Sequence, residues 1–335
     1  DAAYRLAASG VGLLWAGDFQ NARHLVQALD RRLSKRSAAS GRRLERSASP
    51  RPRSAANLTQ AFLAQRQAQA RRAQILGSVL IPLQADYAIA LRRAPDVRLA
   101  CSEAWGAAPA AASNAQQTDH VCSLRELLGL ISAHEWRKKG VEIPALGTDR
   151  AGKTQRIHAH YGVFSPVRGE YLALVAQAPL PSASLAQLIG WDIGTGTGVL
   201  AAILAARGMG QVTATDHSER ALACARANLQ RLRRNAKQPV CEVQVLKADL
   251  FPDAAVHPKA HLILCNPPWL PSPATSALEG AVYDEGGRML QGFLSGVAAR
   301  LHAGGEAWLI LSDLAERLGL RGPHELNDAI AAAGL

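Results

Sequence analysis

The C-terminal half of the chain alternates short apolar runs with stretches of helical periodicity, and this alternation limits the folds that the chain can adopt. From about residue 180, the pattern predicts strands at 188–193, 211–215, 240–246, 261–265 and 306–311. Helices are predicted at 199–207, 218–233, 288–302 and 324–333. Apolar runs of strand length that alternate with helices are typical of an α/β fold with a doubly wound parallel sheet.

A glycine-rich turn follows the first predicted strand. In WDIGTGTGVLAAILAARG (191–208), Gly194, Gly196 and Gly198, with Thr195 among them, permit a sharp turn that lets a ligand lie against the main chain. The helix that follows offers free backbone N–H groups at its N-terminus. The G-x-G-x-G spacing differs from the G-x-G-x-x-G of dinucleotide-binding proteins, so it disfavours an NAD-dependent oxidoreductase.

Acidic residues lie at the ends of three successive predicted strands. Asp192 precedes the first glycine, where a carboxylate repels a pyrophosphate and attracts a cationic ligand with an amino group, such as S-adenosylmethionine. Asp216 ends the second strand, where a carboxylate can accept hydrogen bonds from both hydroxyls of a ribose. Asp249, followed by Leu250, ends the third strand within reach of an adenine amino group. Because ligands bind along the carboxyl edge of such sheets, these residues predict a nucleoside site.

These residues resemble those of the class I S-adenosylmethionine-dependent methyltransferases. The sequence NPPW (266–269), after the fourth predicted strand, is similar to the (N/D)-P-P-(aromatic) motif of a subgroup that methylates glutamine amides and the amino groups of adenine and guanine. LEGAVYDEGGRML (278–290) and YGVFSPVRGEYLALV (161–175) are most similar to the glutamine N5-methyltransferases that modify release factors and a ribosomal protein. The resemblance covers about 161–335. It implies a Rossmann-like class I fold, S-adenosylmethionine as cofactor and a macromolecular substrate, such as a translation protein or RNA met on the ribosome.

The sequence departs from that family in two places. Trp269 stands where tyrosine or phenylalanine is commoner, so a hydrogen bond from a tyrosine hydroxyl is absent while a stacking platform is retained. The sequence also ends at AIAAAGL (329–335), before the last two strands that such a sheet usually has.

The four NPPW residues are the candidate catalytic residues. The lone pair of an amide or aryl-amine nitrogen is delocalised, so acceptors aimed at its two N–H groups help more than a general base. We expect the side-chain oxygen of Asn266 and the carbonyl of Pro267 to accept those hydrogens, in bonds that strengthen as positive charge develops on the nitrogen. Pro267 and Pro268 fix the direction of that carbonyl, and Trp269 can stack on a flat target. Asn266 also counts as cofactor-binding, because it lies where the cofactor methyl is expected.

The positive charge of the chain lies in its N-terminal half. The formal net charge is +11, and residues 1–160 contain 24 Lys or Arg against 12 Asp or Glu, whereas residues 161–335 contain 14 against 15. This asymmetry favours an anionic partner such as RNA, DNA or the ribosome, and a solubilising basic arm is the alternative.

The pattern predicts three parts of the chain. Residues 1–145 form a mainly helical, basic N-terminal domain, with helices within 1–33, 58–91 and 123–139, a disordered segment at 34–57 and a linker at 106–119. Ser123 is the expected N-cap of the third of these helical stretches, because Glu126 follows three residues later. Residues 146–180 form a connecting hairpin and helix, and residues 181–335 form the catalytic domain.

The five cysteines are an odd number without C-x-x-C spacing, which disfavours both a disulfide framework and a zinc site. No signal-peptide pattern is visible, and the apolar runs are too short to cross a bilayer, so we expect a cytoplasmic protein without membrane association.

One motif match is discounted. GTDRAGKT (147–154) fits the phosphate-loop pattern, but Pro144 interrupts the apolar run before it and no helical period follows, so a polar turn within a hairpin is expected.

The main functional prediction is a methyltransferase that acts on glutamine. An RNA or DNA amino-group methyltransferase and a catalytically silent binding module with the same fold remain as alternatives.

Overall fold

The computed structural model describes residues 1–47, 55–108, 120–167, 169–182, 184–237, 240–274 and 279–335; for residues 36–47 and 55–56 it describes the backbone alone. The chain divides into two compact units, Asp1–Glu135 and Trp136–Leu335. The predicted connecting segment 146–180 lies within the second unit. Each helix in the described ranges is too short or too polar to cross a lipid bilayer.

The first unit combines helices with a small sheet. Its elements are, in order, α1 (Ala2–Ala8), β1 (Leu13–Leu14), α2 (Phe19–Ser47), α3 (Ala55–Leu76), β2 (Val79–Leu83), α4 (Arg98–Trp105), β3 (His120–Ser123) and most of α5 (Leu124–Lys139). Strand β2 lies in the middle of the sheet, parallel to β1 and antiparallel to β3. The predicted N-cap of α5 is confirmed, because Ser123 Oγ accepts a hydrogen bond from the Glu126 N–H at 3.0 Å.

The helix-rich stretch predicted at 58–91 is wrong beyond Leu76, because Val79–Leu83 is a strand. The sequence VLIPL buries alternate side chains, those of Val79, Ile81 and Leu83, as a half-buried strand does. Pro82 also lacks the N–H that an α-helix interior requires. Residues 79–83 therefore form a strand, because alternate side chains are buried and the proline disfavours a helix, although the residues before them are helical.

The segment 34–57, predicted to be disordered, is helical at 34–47 and again at 55–57. Alanine and arginine are frequent there, and both have high helix propensity. The density of positive charge therefore does not prevent a helical backbone. Residues 48–54, and residues 109–119 of the predicted linker, lie outside the described residues.

In the second unit, a hairpin follows the end of α5. Strands β4 (Val141–Glu142) and β5 (Arg156–Ile157) pair antiparallel. In the turn between them, one oxygen of Asp149 accepts the backbone N–H groups of Ala151 and Lys153, each at 2.9 Å. The polar turn predicted for GTDRAGKT is confirmed, and no helix follows it as a phosphate loop would require.

A parallel sheet forms the centre of the second unit, as predicted. Its strands are β6 (Ile189–Ile193), β7 (Gln211–Asp216), β8 (Val243–Lys247), β9 (Ala260–Cys265) and β10 (Leu301–Leu309), in the order β10-β9-β6-β7-β8, and all neighbours are parallel. The helices are α6 (Glu170–Gln177), α7 (Val199–Ala206), α8 (Glu219–Asn235), α9 (Arg288–Val297), α10 (Leu314–Arg317) and α11 (Glu325–Ala332). The strand order reverses between β6 and β9, which is the switch point where doubly wound sheets bind ligands.

Helices cover both faces of this sheet. On β9, Leu262 and Leu264 join the apolar cluster that contains α6 and α7, whereas Ile263 and Cys265 join the cluster that contains α9 and packs against α11. The four side chains are fully buried. A strand that is buried on both faces reads as a continuous apolar run, which explains why β9 was predicted within one residue.

The start of β10 differs from the prediction. The helix predicted at 288–302 ends at Val297, and β10 begins at Leu301, before the expected residue 306. The register with β9 shifts between Leu301 and Glu306, where Gly304 adopts a φ of +73°. A bulge of this kind interrupts the period-two pattern by which a strand is recognised.

A buried amide in α8 joins three segments around the glycine turn. Asn228 is fully buried. Its Nδ2 donates to the Thr197 carbonyl at 3.0 Å and the His158 carbonyl at 3.2 Å, and its Oδ1 accepts from the His158 N–H at 2.9 Å and from Arg231 Nη2 at 2.6 Å. The glycine turn is thereby held to α8 and to the chain that follows β5.

We expect Asn228→Ala to lower the free energy of unfolding by about 1–3 kcal/mol, because buried backbone groups lose their partners. Urea denaturation measures this loss. Gln230→Ala removes an exposed amide from the same helix and should change stability by less than about 0.5 kcal/mol. Equal effects of the two substitutions would contradict the role assigned to Asn228.

Candidate active site

The carboxyl ends of four strands meet at one edge of the central sheet. Ile193 of β6 is paired with Thr215 of β7 on one side and with Cys265 of β9 on the other. Asp216 of β7 is paired with Lys247 of β8. The predicted cofactor and catalytic residues lie at these strand ends or in the turns that follow them, so the structure brings them to the same edge.

The glycine turn depends on backbone conformations that favour glycine. Gly194, Gly196 and Gly198 have φ values of +72°, +53° and +81°. A Cβ on Gly198 would lie 3.2 Å from the Cα of Ala225 in α8, whereas a Cβ on Gly196 would meet no atom within 4 Å. Gly198 therefore permits close packing, and Gly196 borders open space where a ligand can lie against the main chain.

Asp192 is completely buried beneath this turn. Its Oδ2 accepts hydrogen bonds from Thr195 Oγ1 at 2.6 Å and from the Ala201 N–H at 3.0 Å. Its Oδ1 is buried and has no hydrogen-bond partner among the described residues. Burial raises the pKa of this carboxyl to about 6, although the bonds from Thr195 and Ala201 act in the opposite direction. An unpaired buried carboxylate oxygen is the feature that a cationic ligand would satisfy, so the residue fits S-adenosylmethionine.

Asp216, the last residue of β7, is hydrogen-bonded to the same turn. Its Oδ2 accepts the Gly196 N–H at 3.0 Å, and its Oδ1 accepts the Ser218 N–H at 2.9 Å. Ser218 in turn caps α8, since its Oγ accepts the Ala221 N–H at 3.4 Å. Each carboxylate oxygen has a second lone pair, so Asp216 can still accept both hydroxyls of a ribose, one on each oxygen, as the sequence predicts.

The end of β8 shows a strained residue that the sequence does not reveal. Asp249 is exposed, and Leu250 has a φ of +69°, which is rare for a residue other than glycine, asparagine or aspartate. Thr215 Oγ1 donates to the Leu250 carbonyl at 2.5 Å and holds this conformation. Strained backbone of this kind is frequent where chains contact ligands.

The NPPW residues follow β9 at the switch point. Asn266 and Trp269 are half-buried, and Pro267 is buried. The indole N–H of Trp269 donates to Asn266 Oδ1 at 3.0 Å. After the motif, the Leu270 N–H donates to the Val282 carbonyl at 3.0 Å, so residues 279–287 fold back beside the motif. The sequence predicts a stacking role for Trp269 but not this hydrogen bond.

Tyr171 of α6 is a further candidate site residue, which the sequence does not reveal. It packs against the apolar cluster that contains α7. Burial, together with the nearby Asp192, raises the pKa of the phenol to about 12, and a side-chain hydrogen bond with Asn266 acts in the opposite direction. The phenol is therefore neutral at physiological pH. The similarity of the segment 161–175 to the methyltransferases is the signal that could have directed attention to this helix.

Cys265 directly precedes Asn266, and its thiol is buried in the core of the sheet. The side chain is completely buried, and burial with the nearby Asp192 raises the pKa of its thiol far above the ordinary range. A thiol that stays protonated is a poor nucleophile. In the described part of the chain, no three His, Cys, Asp or Glu side chains are grouped as metal ligands.

Residues 154–316 match the model of the family described as the methyltransferase small domain. The matched region runs from the last residues of the hairpin turn to α10, and it includes the central sheet and all of the site residues above. The second unit therefore carries an S-adenosylmethionine-dependent methyltransferase domain with the class I fold that the sequence predicts.

Solved structures of methyltransferases are similar to the chain at low identity. The ribosomal protein L11 methylase from Lactobacillus delbrueckii subsp. bulgaricus is 20% identical over 54% of this chain and 77% of that chain, with a TM-score of 0.38. The precorrin-6y C5,15-methyltransferase from Geobacter metallireducens is 17% identical over 58% of this chain and 82% of that chain, with a TM-score of 0.36. No curated protein sequence matches the chain.

The raised pKa of Asp192 predicts a pH dependence of cofactor binding. Below about pH 6 the carboxyl is protonated and loses its attraction for a cation, so the dissociation constant of S-adenosylmethionine should rise by up to about tenfold between pH 7 and pH 5. The effect of pH on the folding stability of the ligand-free protein is opposite to its effect on cofactor affinity. The folded state favours the protonated carboxyl of Asp192, and the stability that this form contributes is lost as the pH rises through about 6.

Calorimetric titration at pH 5 and pH 7 measures the change in affinity. Asp192→Asn should bind more weakly at pH 7 and show no step near pH 6. Asp253→Asn removes an exposed carboxyl that caps a loop, and it should keep the step. A step that persists in Asp192→Asn would assign the titration to another group.

Proposed function

We propose that this domain methylates a planar amide or amino nitrogen of a macromolecule, with a glutamine side chain of a translation protein as the best candidate. The observation that carries the proposal is the pairing of Ile193 with Cys265. This pairing sets the start of the glycine turn beside Asn266, so the acceptors of the NPPW motif lie next to the residues that would hold the cofactor.

The residues of the chain act by positioning the target rather than by removing its proton. S-adenosylmethionine, when bound, supplies an electrophilic methyl group on a sulfonium sulfur. The side-chain oxygen of Asn266 and the carbonyl of Pro267 each accept one N–H of the target and turn the nitrogen lone pair toward that group. Both bonds strengthen as the nitrogen becomes positive, which favours the transition state. The C–N bond would form as the bond between the methyl carbon and sulfur breaks, with its electron pair left on sulfur, and one N–H proton would then be lost to water.

The glutamine assignment is supported by the resemblance of residues 161–175 and 278–290 to glutamine N5-methyltransferases. An RNA or DNA amino group is the second candidate, and the positive charge of residues 1–160 favours it. We assign the first unit to the recognition of this macromolecule. The five cysteines are free, and four of them are buried, which supports a reducing compartment such as the cytoplasm.

Asn266→Ala should lower the rate of methyl transfer by about 10²–10³-fold, the scale of one transition-state hydrogen bond. Binding of S-adenosylmethionine should change little. The rate is measured as transfer of a labelled methyl group, and the affinity by calorimetry. Asn235→Ala removes an exposed amide at the end of α8 and should leave both unchanged. A fully active Asn266→Ala variant would refute the mechanism.

The class of substrate can be tested with an extract that contains ribosomes and translation factors. The protein is incubated with this extract and labelled S-adenosylmethionine, and the product is digested separately with nuclease and protease. We expect protease alone to release the label, on a peptide with methylated glutamine. Release by nuclease alone would establish the nucleic-acid alternative. Failure to transfer any label would support a silent binding module.

A further inference from the structure

We propose that Trp269 is a positioning residue whose indole N–H holds the Asn266 side chain in the orientation that accepts the target nitrogen. This inference rests on the proposed function and adds to it. A stacking platform needs only an aromatic ring, which phenylalanine or tyrosine would supply. The hydrogen bond from Trp269 to Asn266 requires the indole.

The direction of this hydrogen bond defines the orientation of the amide. Indole has a donor and no acceptor, so Trp269 Nε1, at 3.0 Å, can bond only to the oxygen of the Asn266 side chain. An amide turned by 180° would present its NH₂ group to the indole and lose this bond. The same turn would present NH₂ instead of oxygen to a target N–H, and two donors repel each other. Trp269 therefore favours the one orientation of Asn266 that can accept a hydrogen from the substrate.

The oxygen of the Asn266 side chain can accept one further hydrogen bond, which suits a substrate with one N–H directed at it. An amide oxygen accepts two hydrogen bonds. Trp269 takes one of them, so one lone pair of Asn266 Oδ1 is left for the target. The second hydrogen of an NH₂ target then goes to the Pro267 carbonyl.

The chain around Trp269 keeps the indole in place. Two prolines separate Asn266 from Trp269, and each has a fixed φ. The next residue, Leu270, is buried, and its N–H and carbonyl bond to Val282 and Asp284 at 3.0 and 2.9 Å. Trp269 is therefore anchored on both sides, and its N–H can act as a fixed point for Asn266.

The hydrogen bond itself can be tested without any substrate. In an NMR spectrum of the ¹⁵N-labelled protein, Trp269→Phe identifies the Trp269 indole signal among the six tryptophans. Asn266→Ala should shift this signal upfield and speed its exchange with water, while the other indole signals stay in place. An indole signal that does not respond to Asn266→Ala would overturn the proposal.

The functional role can be tested by combining substitutions, with label transfer into the extract that contains ribosomes and translation factors. Trp269→Phe keeps a stacking ring and should lower the rate at saturating substrate by about 3- to 10-fold, with little change in KM. In an Asn266→Ala background, the same substitution should have no further effect, because Trp269 acts through Asn266. The same loss in both backgrounds would show that Trp269 acts on the substrate directly and would overturn the proposal.

Trp308→Phe is the matched control. Trp308 also donates an indole hydrogen bond, to Glu306 Oε2 at 2.8 Å on β10, and its replacement should not change the rate. If the extract accepts no label from the unmodified protein, the proposed function fails. The NMR comparison then still decides whether Trp269 positions Asn266.

Discussion

Parallel pairing between β6 and β9 is the constraint on which the site depends. Strands β7 and β8 lie on one side of β6, and strands β9 and β10 lie on the other side. The helices on the two sides therefore leave toward opposite faces and open a crevice at the carboxyl ends. The glycine turn after β6 and the NPPW motif after β9 are about 70 residues apart in sequence, and only this pairing makes them neighbours.

The two buried acids that are predicted to bind the cofactor also hold the glycine turn in its absence. Asp192 accepts from Thr195 and Ala201, and Asp216 accepts from Gly196 and Ser218. The turn is consequently shaped before a cofactor binds, which reduces the entropy lost on binding. The unpaired oxygen of Asp192 costs stability in the free protein, and it is the part of the arrangement that a cationic ligand can use.

The catalytic half of the fold is predictable from the sequence because its strands are buried on both faces and its turn needs glycine. The central strands, the glycine turn and the polar hairpin turn all follow from local patterns. Other features depend on contacts between distant residues. Strand β2 is short and is held in the sheet by its pairing with β1 and β3, and the carbonyl of Leu250, whose backbone is left-handed, accepts a hydrogen bond from Thr215. Tyr171 and Asn266 are 95 positions apart, so no spacing rule relates them.

The contact of Met289 with Gly194 connects the glycine turn to the segment that lies beside the NPPW motif. A Cβ on Gly194 would lie 2.5 Å from Met289 Cε, and Met289 is held through its N–H by Asp284 Oδ2 at 2.6 Å. Asp284 in turn bonds through its own N–H to Leu270, directly after the NPPW motif. One short segment thus joins the residue that follows the NPPW motif to the glycine turn. A ligand that displaced this segment at one end would change the affinity for a ligand at the other end, and by thermodynamic reciprocity the factor would be the same in both directions.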